Sequence, residues 1–519
     1  MSDAAPTQPP AATPERSPLR EMLAIAIPTV ATTTSFTLMT FVDKLMVSRY
    51  EPDPVYVAAQ GNGGLSQWVA LSLVFGMLTV VNTFVSQNLG AGRPERAPSY
   101  VWNAIWLSGV LFLLVLVPYG IALPLLYEWM RDPSLSADET ASVLKRDALA
   151  TTYARVLLFT SFFVMMRQAI QQYFYGMHRP LLVFVSAIAG NVTNFVCNSL
   201  FIYGPQKPEA TGIAALDAWF TFTAGLAQAV GLPRMGVVGA AWGTVVGILV
   251  ELLICLCVFL GPTFQRLYRT RDQWRPDLGR MREIFRIGWA PGLMFANEMV
   301  CWGLFMVYFV GHFGTQHSTA GWIAHQWMSL SFMPAVGISV AVTAMVGKCM
   351  GMGRPDLAAK RAWLGLGVAM AYMGICAVCF VVFRESLVRL FIDSRTSPEI
   401  ADQVLRLGTQ FLILTAVFQI FDAVAMTLSG ALRGAGDTVF VGVSTVLSSW
   451  IIIVGGGTLA ITTFRSLESV GPWAAAALYI IVLSGFVLAR FLAGRWKSIR
   501  LVERAEPSAS AANVTDGVL

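Results

Sequence analysis

The sequence predicts an all-α integral membrane protein: twelve transmembrane helices in two six-helix lobes, related by a pseudo-twofold axis along the membrane normal. Three observations predict it. The 519 residues are 55% hydrophobic and only 13% charged, with mean hydropathy +0.62. A soluble domain carries about 25% charged residues, so this chain has too little polar surface to face water all round. Apolar stretches near the roughly 20 residues needed to cross a bilayer recur along the chain. Finally, signatures in the first half return in the second at nearly constant spacing.

Taken in order, residues 1–19 are rich in Pro, Ala and Ser and have no apolar core before Leu23. They read as a disordered tail and not as a cleaved signal peptide. The N-lobe, 20–262, holds apolar stretches at about 21–48, 63–89, 100–127, 150–176, 181–204 and 236–262. A cytoplasmic inter-lobe loop follows at 263–283. The C-lobe, 284–495, holds stretches at about 284–312, 320–348, 361–384, 407–432, 438–463 and 471–494. Residues 496–519 read as a second disordered tail.

The internal repeat relates the lobes. Gly90-Ala91-Gly92-Arg93-Pro94 returns as Gly351-Met352-Gly353-Arg354-Pro355, an offset of 351 − 90 = 261. Gln67-Trp68 returns as Gln326-Trp327 at 259, Gly176 as Gly434 at 258, and Pro28 as Pro291 at 263. Four matches in one order imply duplication. An even number of helices per half makes the halves parallel, an arrangement suited to a central cleft that opens alternately to each side.

Arg and Lys in the connections set the orientation. Arg266, Arg269, Arg271, Arg275, Arg280 and Arg282 follow the sixth stretch. Arg93, Arg96, Arg179, Arg354, Lys360 and Arg433 mark the same side, as do Arg495, Lys497, Arg500 and Arg504. Connection 313–319 has no Lys or Arg, and loop 205–235 has only Lys207 and Arg234. The loop 385–406, with Arg389, Arg395 and Arg406, runs against the trend. The balance places both termini in the cytoplasm and the chain in the cell (inner) membrane. The basic residues fit lipid headgroups better than nucleic acid, so the expected partners are membrane lipids and small molecules.

Acids inside a bilayer cost roughly 3 kcal/mol or more each, so each needs a reason. Four fall within apolar stretches: Asp43, Glu251, Glu298 and Asp422. Asp43 has Thr40, Met39 and Met46 at helical spacing; Glu298 has Phe295, Met294, Cys301 and Trp302; Asp422 has Gln419, Phe418 and Met426. Such walls suit a lipophilic cation, since rings offer cation–π faces and methionines adapt in shape. Asp43, Glu298 and Asp422, helped by Thr40, Asn297 or Gln419, are also candidate Na⁺ ligands or proton carriers. The competing reading of each acid is structural pairing inside the bundle. That reading is favoured for Glu251, which has no polar neighbour in Ile248–Cys255.

Asn191, Asn194 and Asn198 form a polar stripe that could bind cations or simply bridge helices. Arg167 reads as snorkelling to the cytoplasmic surface, and His325 as a packing or helix-start residue. All seven cysteines, the Cys376-x-x-Cys379 pair included, lie in or beside apolar runs and read as small hydrophobes. The four histidines show no metal-ligand spacing. No P-loop or nucleotide-binding domain appears, so no cofactor is expected beyond Na⁺ or H⁺ as coupling ion.

These residues resemble the multidrug and toxic compound extrusion (MATE) transporters, particularly the NorM-type branch. Phe41-Val42-Asp43-Lys44-Leu45-Met46-Val47 resembles that family's acidic first-helix motif. Ala324-His325-Gln326 with Phe332-Met333-Pro334 is similar to its eighth helix, and Asn194-x-x-x-Asn198-x-x-Phe201 to its fifth. Gln419-x-x-Asp422-Ala423 leading to Gly430-x-Leu432-Arg433-Gly434 is the tightest match. The resemblance covers about residues 20–495. It implies export of cationic, amphipathic compounds in exchange for Na⁺ or H⁺ by rocking of two lobes, without enzyme activity, in a chain expected to be a monomer. It also implies cation binding at Asp43, Glu298 and Asp422. From the helical spacing, Gln419, Thr40 and Asn194 are candidate cation and substrate ligands beside them, and Phe295, Trp302, Phe418 and Met426 are candidates to line the cavity. Lys44 and Ser48 depart from the family pattern, and Lys44 could perturb the neighbouring aspartate. Two other readings remain: a lipid-linked oligosaccharide flippase, for which the deep charges are too acidic, and an intramembrane enzyme, for which no catalytic spacing appears.

Overall fold

The computed structural model describes residues 17–503, except 52, 54, 132–136, 210 and 393–396. Among the described residues all regular structure is helical. Eleven helices are long and apolar enough to cross a membrane, and one further pair bent by 48° makes twelve. In chain order they are α1 Pro18–Ser48, α2 Val55–Gly90, α3 Pro94–Trp129, α4 Thr140–Phe159 with Ser161–Gly176, α5 Pro180–Phe201 and α6 Gly236–Phe259. The second lobe has α7 Leu278–Phe313, α8 Thr315–Gly351, α9 Pro355–Val382, α10 Pro398–Ala435, α11 Thr438–Thr462 and α12 Val470–Leu492. Each coincides with one of the apolar stretches anticipated from the sequence.

The helix ends follow local chemistry. Proline occupies the first turn of α1, α5, α9 and α10, where its missing N–H is no loss and its fixed φ favours the helix. The Asp277 carboxylate starts α7 by accepting from the backbone N–H groups of Gly279 at 2.8 Å and Arg280 at 3.3 Å. α10 ends at Gly436, in the left-handed region at φ 97°.

Two large cores form, each centred on one lobe. One runs from Leu71 to Ile284 and includes Phe84, Tyr173 and Phe259; the other contains Phe305, Phe411, Phe418 and Trp473 and takes in Met22, Ile25 and Ala26 of α1. Across the lobe boundary, α2 meets α7 and α1 meets α8. A Cβ on Gly76 would stand 2.5 Å from the Pro291 carbonyl oxygen, and one on Gly337 would stand 2.8 Å from the Val30 backbone. These contacts are related by the repeat itself, because 337 − 76 and 291 − 30 both equal 261.

Several details differ from the sequence expectation. Pro18 and Leu19 already belong to α1. At the other end, the chain stays ordered past 496: Arg495–Ser498 forms a 3₁₀ turn, Trp496 is fully buried, and Leu501 packs on Gly436. Arg433 is not in a connection but in the last turn of α10. The long loop 205–235 contains a further helix, Ala214–Val230, pinned to α5 by the Trp219 indole donating to Ser199 at 3.1 Å. The inter-lobe segment is stapled to α3: Trp102 donates to the Thr270 carbonyl at 2.7 Å and Trp106 to that of Trp274 at 2.8 Å. Residues 1–16, 504–519 and Arg395 lie outside the described residues.

Candidate functional site

The structure does not gather the three candidate acids at one point. It makes two centres, one in each lobe.

In the N-lobe, α1 turns Asp43 inward and leaves Lys44 exposed, since consecutive helical residues diverge by about 100°. Asp43 is buried and accepts from the Asn198 amide at 2.6 Å. Asn198 also donates to Asn194 Oδ1 at 3.1 Å, and Asn194 donates to Thr244 on α6 at 3.4 Å. Tyr153 on α4, with Gln60 of α2 against it, lies within electrostatic range of the same carboxylate. The Asn198 and Gln60 side-chain carbonyl oxygens are buried with no donor. The centre therefore holds one carboxylate surrounded by neutral oxygens, some still able to accept, which suits a small hard cation or a proton. Asn198 fits this closely only because position 243 is glycine; a Cβ there would overlap its amide oxygen.

In the C-lobe, Glu298 on α7 and Asp422 on α10 act on one another electrostatically, and Tyr479 of α12 lies in the field of both. Asp422 is buried and Glu298 half-buried. One turn from Asp422, Gln419 donates to the Ser331 hydroxyl at 2.8 Å, leaving its own carbonyl oxygen without a donor. Asn297, beside Glu298, is already engaged: it donates to Ser449 at 2.8 Å and accepts from the Trp450 indole at 2.7 Å. Among the described residues no three His, Cys, Asp or Glu side chains cluster as a metal site. Any Na⁺ would draw its remaining ligands from amides, hydroxyls and backbone.

The other anticipated residues are distributed unevenly. Asn194 belongs to the Asp43 centre. Thr40 is exposed, and its hydroxyl donates to the Phe36 carbonyl of its own helix at 3.0 Å, so it adds nothing to Asp43. Phe295 sits at the α2–α7 boundary against Phe75, with centroids 6.3 Å apart. Trp302 packs on Phe305 and His325. Met426 is half-buried, whereas Phe418, 2% exposed, is core and not cavity wall. Lys44 makes no ion pair among the described residues.

Sequence reasoning missed Gln60, Tyr153 and Thr244, which lie on other helices with nothing in their own segments to point to Asp43. It also misplaced Arg167. That guanidinium does not snorkel: it is buried, paired with Glu251 of α6 and 5.2 Å over the Phe36 ring. Gln171 donates to the other Glu251 oxygen at 2.5 Å. The structural reading of Glu251 is thus supported by a partner that its own helix does not reveal.

Between the lobes, the bonds concentrate at the end that carries the chain termini. Thr83 Oγ1 donates to the Arg433 carbonyl and the Gln87 amide to the Gly434 carbonyl, both at 2.9 Å. His178 approaches the Ala344 carbonyl at 3.2 Å. Midway, Thr33 of α1 donates to the Met333 carbonyl of α8 at 3.0 Å. An apolar groove lined by Ile27, Leu38, Pro334 and Tyr372 flanks α1, α8 and α9 and has no charged side chain.

The MatE family model matches residues 28–200 and 293–457. A probable multidrug resistance protein NorM of Pseudomonas putida is 26% identical over 498 residues, 95% of this chain and 98% of that protein. A protein of the same description from Synechococcus is 26% identical over 485 residues, 92% and 94% of the two chains. The fold is similar to a MOP superfamily transporter from Pyrococcus furiosus, described as having a binding pocket of reversed polarity, with TM-score 0.77 at 18% identity over 93% of this chain and 98% of that one. It is also similar to an outward-facing multidrug resistance MATE family transporter of the MOP superfamily, with TM-score 0.76 at 18% identity over 93% and 97%.

Proposed function

The chain belongs to the MatE family, and from that premise we propose that it is a secondary antiporter exporting organic cations in exchange for Na⁺ or H⁺. The observation that carries the reading is a pair of separate buried acid centres, Asp43 with Asn198 and Glu298 with Asp422, on either side of a lobe boundary closed at one end. Buried carboxylates are costly unless they bind or exchange something. One centre per lobe lets a cation and its counter-ion be handled while the lobes rock.

Energy would come from the ion gradient, since one charge crossing 100 mV is worth about 2.3 kcal/mol. The Arg and Lys at the closed end support a cytoplasmic location for both termini and for the seal, and the bacterial NorM relatives support residence in the inner membrane. The cleft would then face outward. Substrates reaching it from the outer side would meet Glu298, which is half-buried, more readily than the enclosed Asp43.

The test is ethidium transport by the purified full chain in proteoliposomes, under a Na⁺ gradient at fixed pH and under a pH gradient without Na⁺. Transport driven by either gradient and abolished by Asp422→Asn is the expected result. Transport by neither gradient, or wild-type behaviour of Asp422→Asn, refutes the reading.

A further inference from the structure

We propose that Arg433 is a built-in counter-charge of the C-lobe centre, setting it to accept one positive charge at a time and to reject dications. The inference rests on the antiporter reading but concerns a residue that reading does not use. Arg433 stands in the last turn of α10, and helical side chains lean toward the N-terminus of their helix. Its guanidinium accordingly runs back from the sealed end along α10 and α8. There Nη2 donates to Ser339 Oγ at 3.1 Å, and Ser339 donates to the Met426 carbonyl at 2.8 Å. The guanidinium thus lies near the depth of Met426, one turn from Asp422.

From this position Arg433 is in Coulombic range of Glu298, although the two form no direct ion pair among the described residues. Its backbone is also fixed. The carbonyl of Arg433 accepts from Thr83, and that of the next residue, Gly434, from Gln87. While the lobes are closed at this end, the stem of Arg433 is anchored beside the centre, and its guanidinium is held there by Ser339.

The electrostatic consequence is a count. With Glu298 and Asp422 ionised, the centre carries −2; with Arg433 it carries −1. A monovalent cation neutralises it, whereas a divalent one leaves a positive excess in a region of low dielectric. Repulsion from Arg433 scales with ligand charge. If its removal tightens a monocation by a given factor, a dication of similar shape should gain about the square of that factor.

Ethidium and propidium supply the comparison, since both carry the phenanthridinium ring and differ in charge, +1 against +2. Binding of each to the full-length protein in detergent would be measured by fluorescence polarisation for wild type, Arg433→Gln, Arg433→Met and Arg433→Lys. The expected result is tightening of ethidium by roughly fivefold in both neutral variants, a propidium gain near the square of that, and wild-type constants for Arg433→Lys. Two neutral variants of different packing guard against a misfolded one. Equal gains for both dyes, no gain, or a gain in Arg433→Lys overturns the proposal. If wild type bound neither dye, the antiporter reading itself would fall, and this inference with it.

Discussion

Gly90 and Gly351 each stop against a backbone carbonyl of the opposite lobe, Gly90 on Lys348 and Gly351 on Gln87. The partner lies three residues before the other glycine in both cases, since 351 − 348 = 90 − 87 = 3. The pair is one contact repeated about the pseudo-twofold axis, and any Cβ at either position would collide with backbone. The second glycine of each repeat plays a different part, because Gly92 and Gly353 turn the chain at φ 74° and 62°.

Substituting the first glycine should therefore act on the lobes, and substituting the second only on the turn. Gly351→Val or Gly90→Val is expected to hold the lobes apart at the terminal end and to reduce transport at least tenfold. Gly92→Ala, which meets nothing within 4 Å, should cost about 1 kcal/mol of backbone strain and leave lobe spacing unchanged. Distances between spin labels placed on the two lobes distinguish the cases. Normal spacing and normal transport in Gly351→Val would sink the argument.

The buried Arg167–Glu251 pair makes a second prediction. Both side chains are nearly inaccessible, and Gln171 satisfies the remaining carboxylate oxygen. Removing one partner leaves an unpaired charge at a cost of about 3–5 kcal/mol, whereas replacing both by apolar residues is often close to neutral. Arg167→Met and Glu251→Leu should each lower the unfolding temperature strongly in detergent, and the double variant should recover most of the loss. Additive losses in the double variant would mean the pair is not coupled.

That pair also shows what the sequence could and could not convey. The helices were legible because apolar length is a local property, and the lobes because duplication leaves matching strings such as Gly90–Pro94 and Gly351–Pro355. Asp43, Glu298 and Asp422 stood out because a carboxylate in an apolar run is expensive. Their partners did not. Glu251 is joined to Arg167 across 84 positions and Asn198 to Asp43 across 155, distances at which helical periodicity carries no information. Thr40 and Phe418 shared the spacing of the acids, yet the rotation of α1 and α10 turned one outward and the other into the core.

The N-lobe centre yields a third prediction. Asn198 supplies a 2.6 Å bond to Asp43, while Lys44 points away from it. Asn198→Ala should leave a buried carboxylate short of a donor, costing about 1–3 kcal/mol, and should depress transport as severely as Asp43→Asn. Lys44→Ser should transport within twofold of wild type, despite its adjacency in sequence. The check is initial ethidium efflux rate at equal protein level. A severe defect in Lys44→Ser would show that its charge does reach the centre.

Asn297 gives the fourth. It uses both ends of its amide, donating to Ser449 and accepting from the Trp450 indole, and so ties α7 to α11 one residue before Glu298. Both partners begin a π-helical stretch, Ser449–Val454, and α7 enters another at Leu304–Val310. Such stretches loosen the regular ladder and often occur at functional sites, so an added tie matters more there than in a regular helix. Trp450→Phe removes one bond and should cost about 1 kcal/mol. Asn297→Ala also strands the Trp450 donor and takes the amide donor from Ser449, and should cost more, about 2–3 kcal/mol. Because the tie sits beside Glu298, Asn297→Ala should weaken ethidium binding as well as lower the unfolding temperature. A purely structural role would move only the second. Unchanged ethidium affinity in Asn297→Ala would separate this clamp from the cation centre.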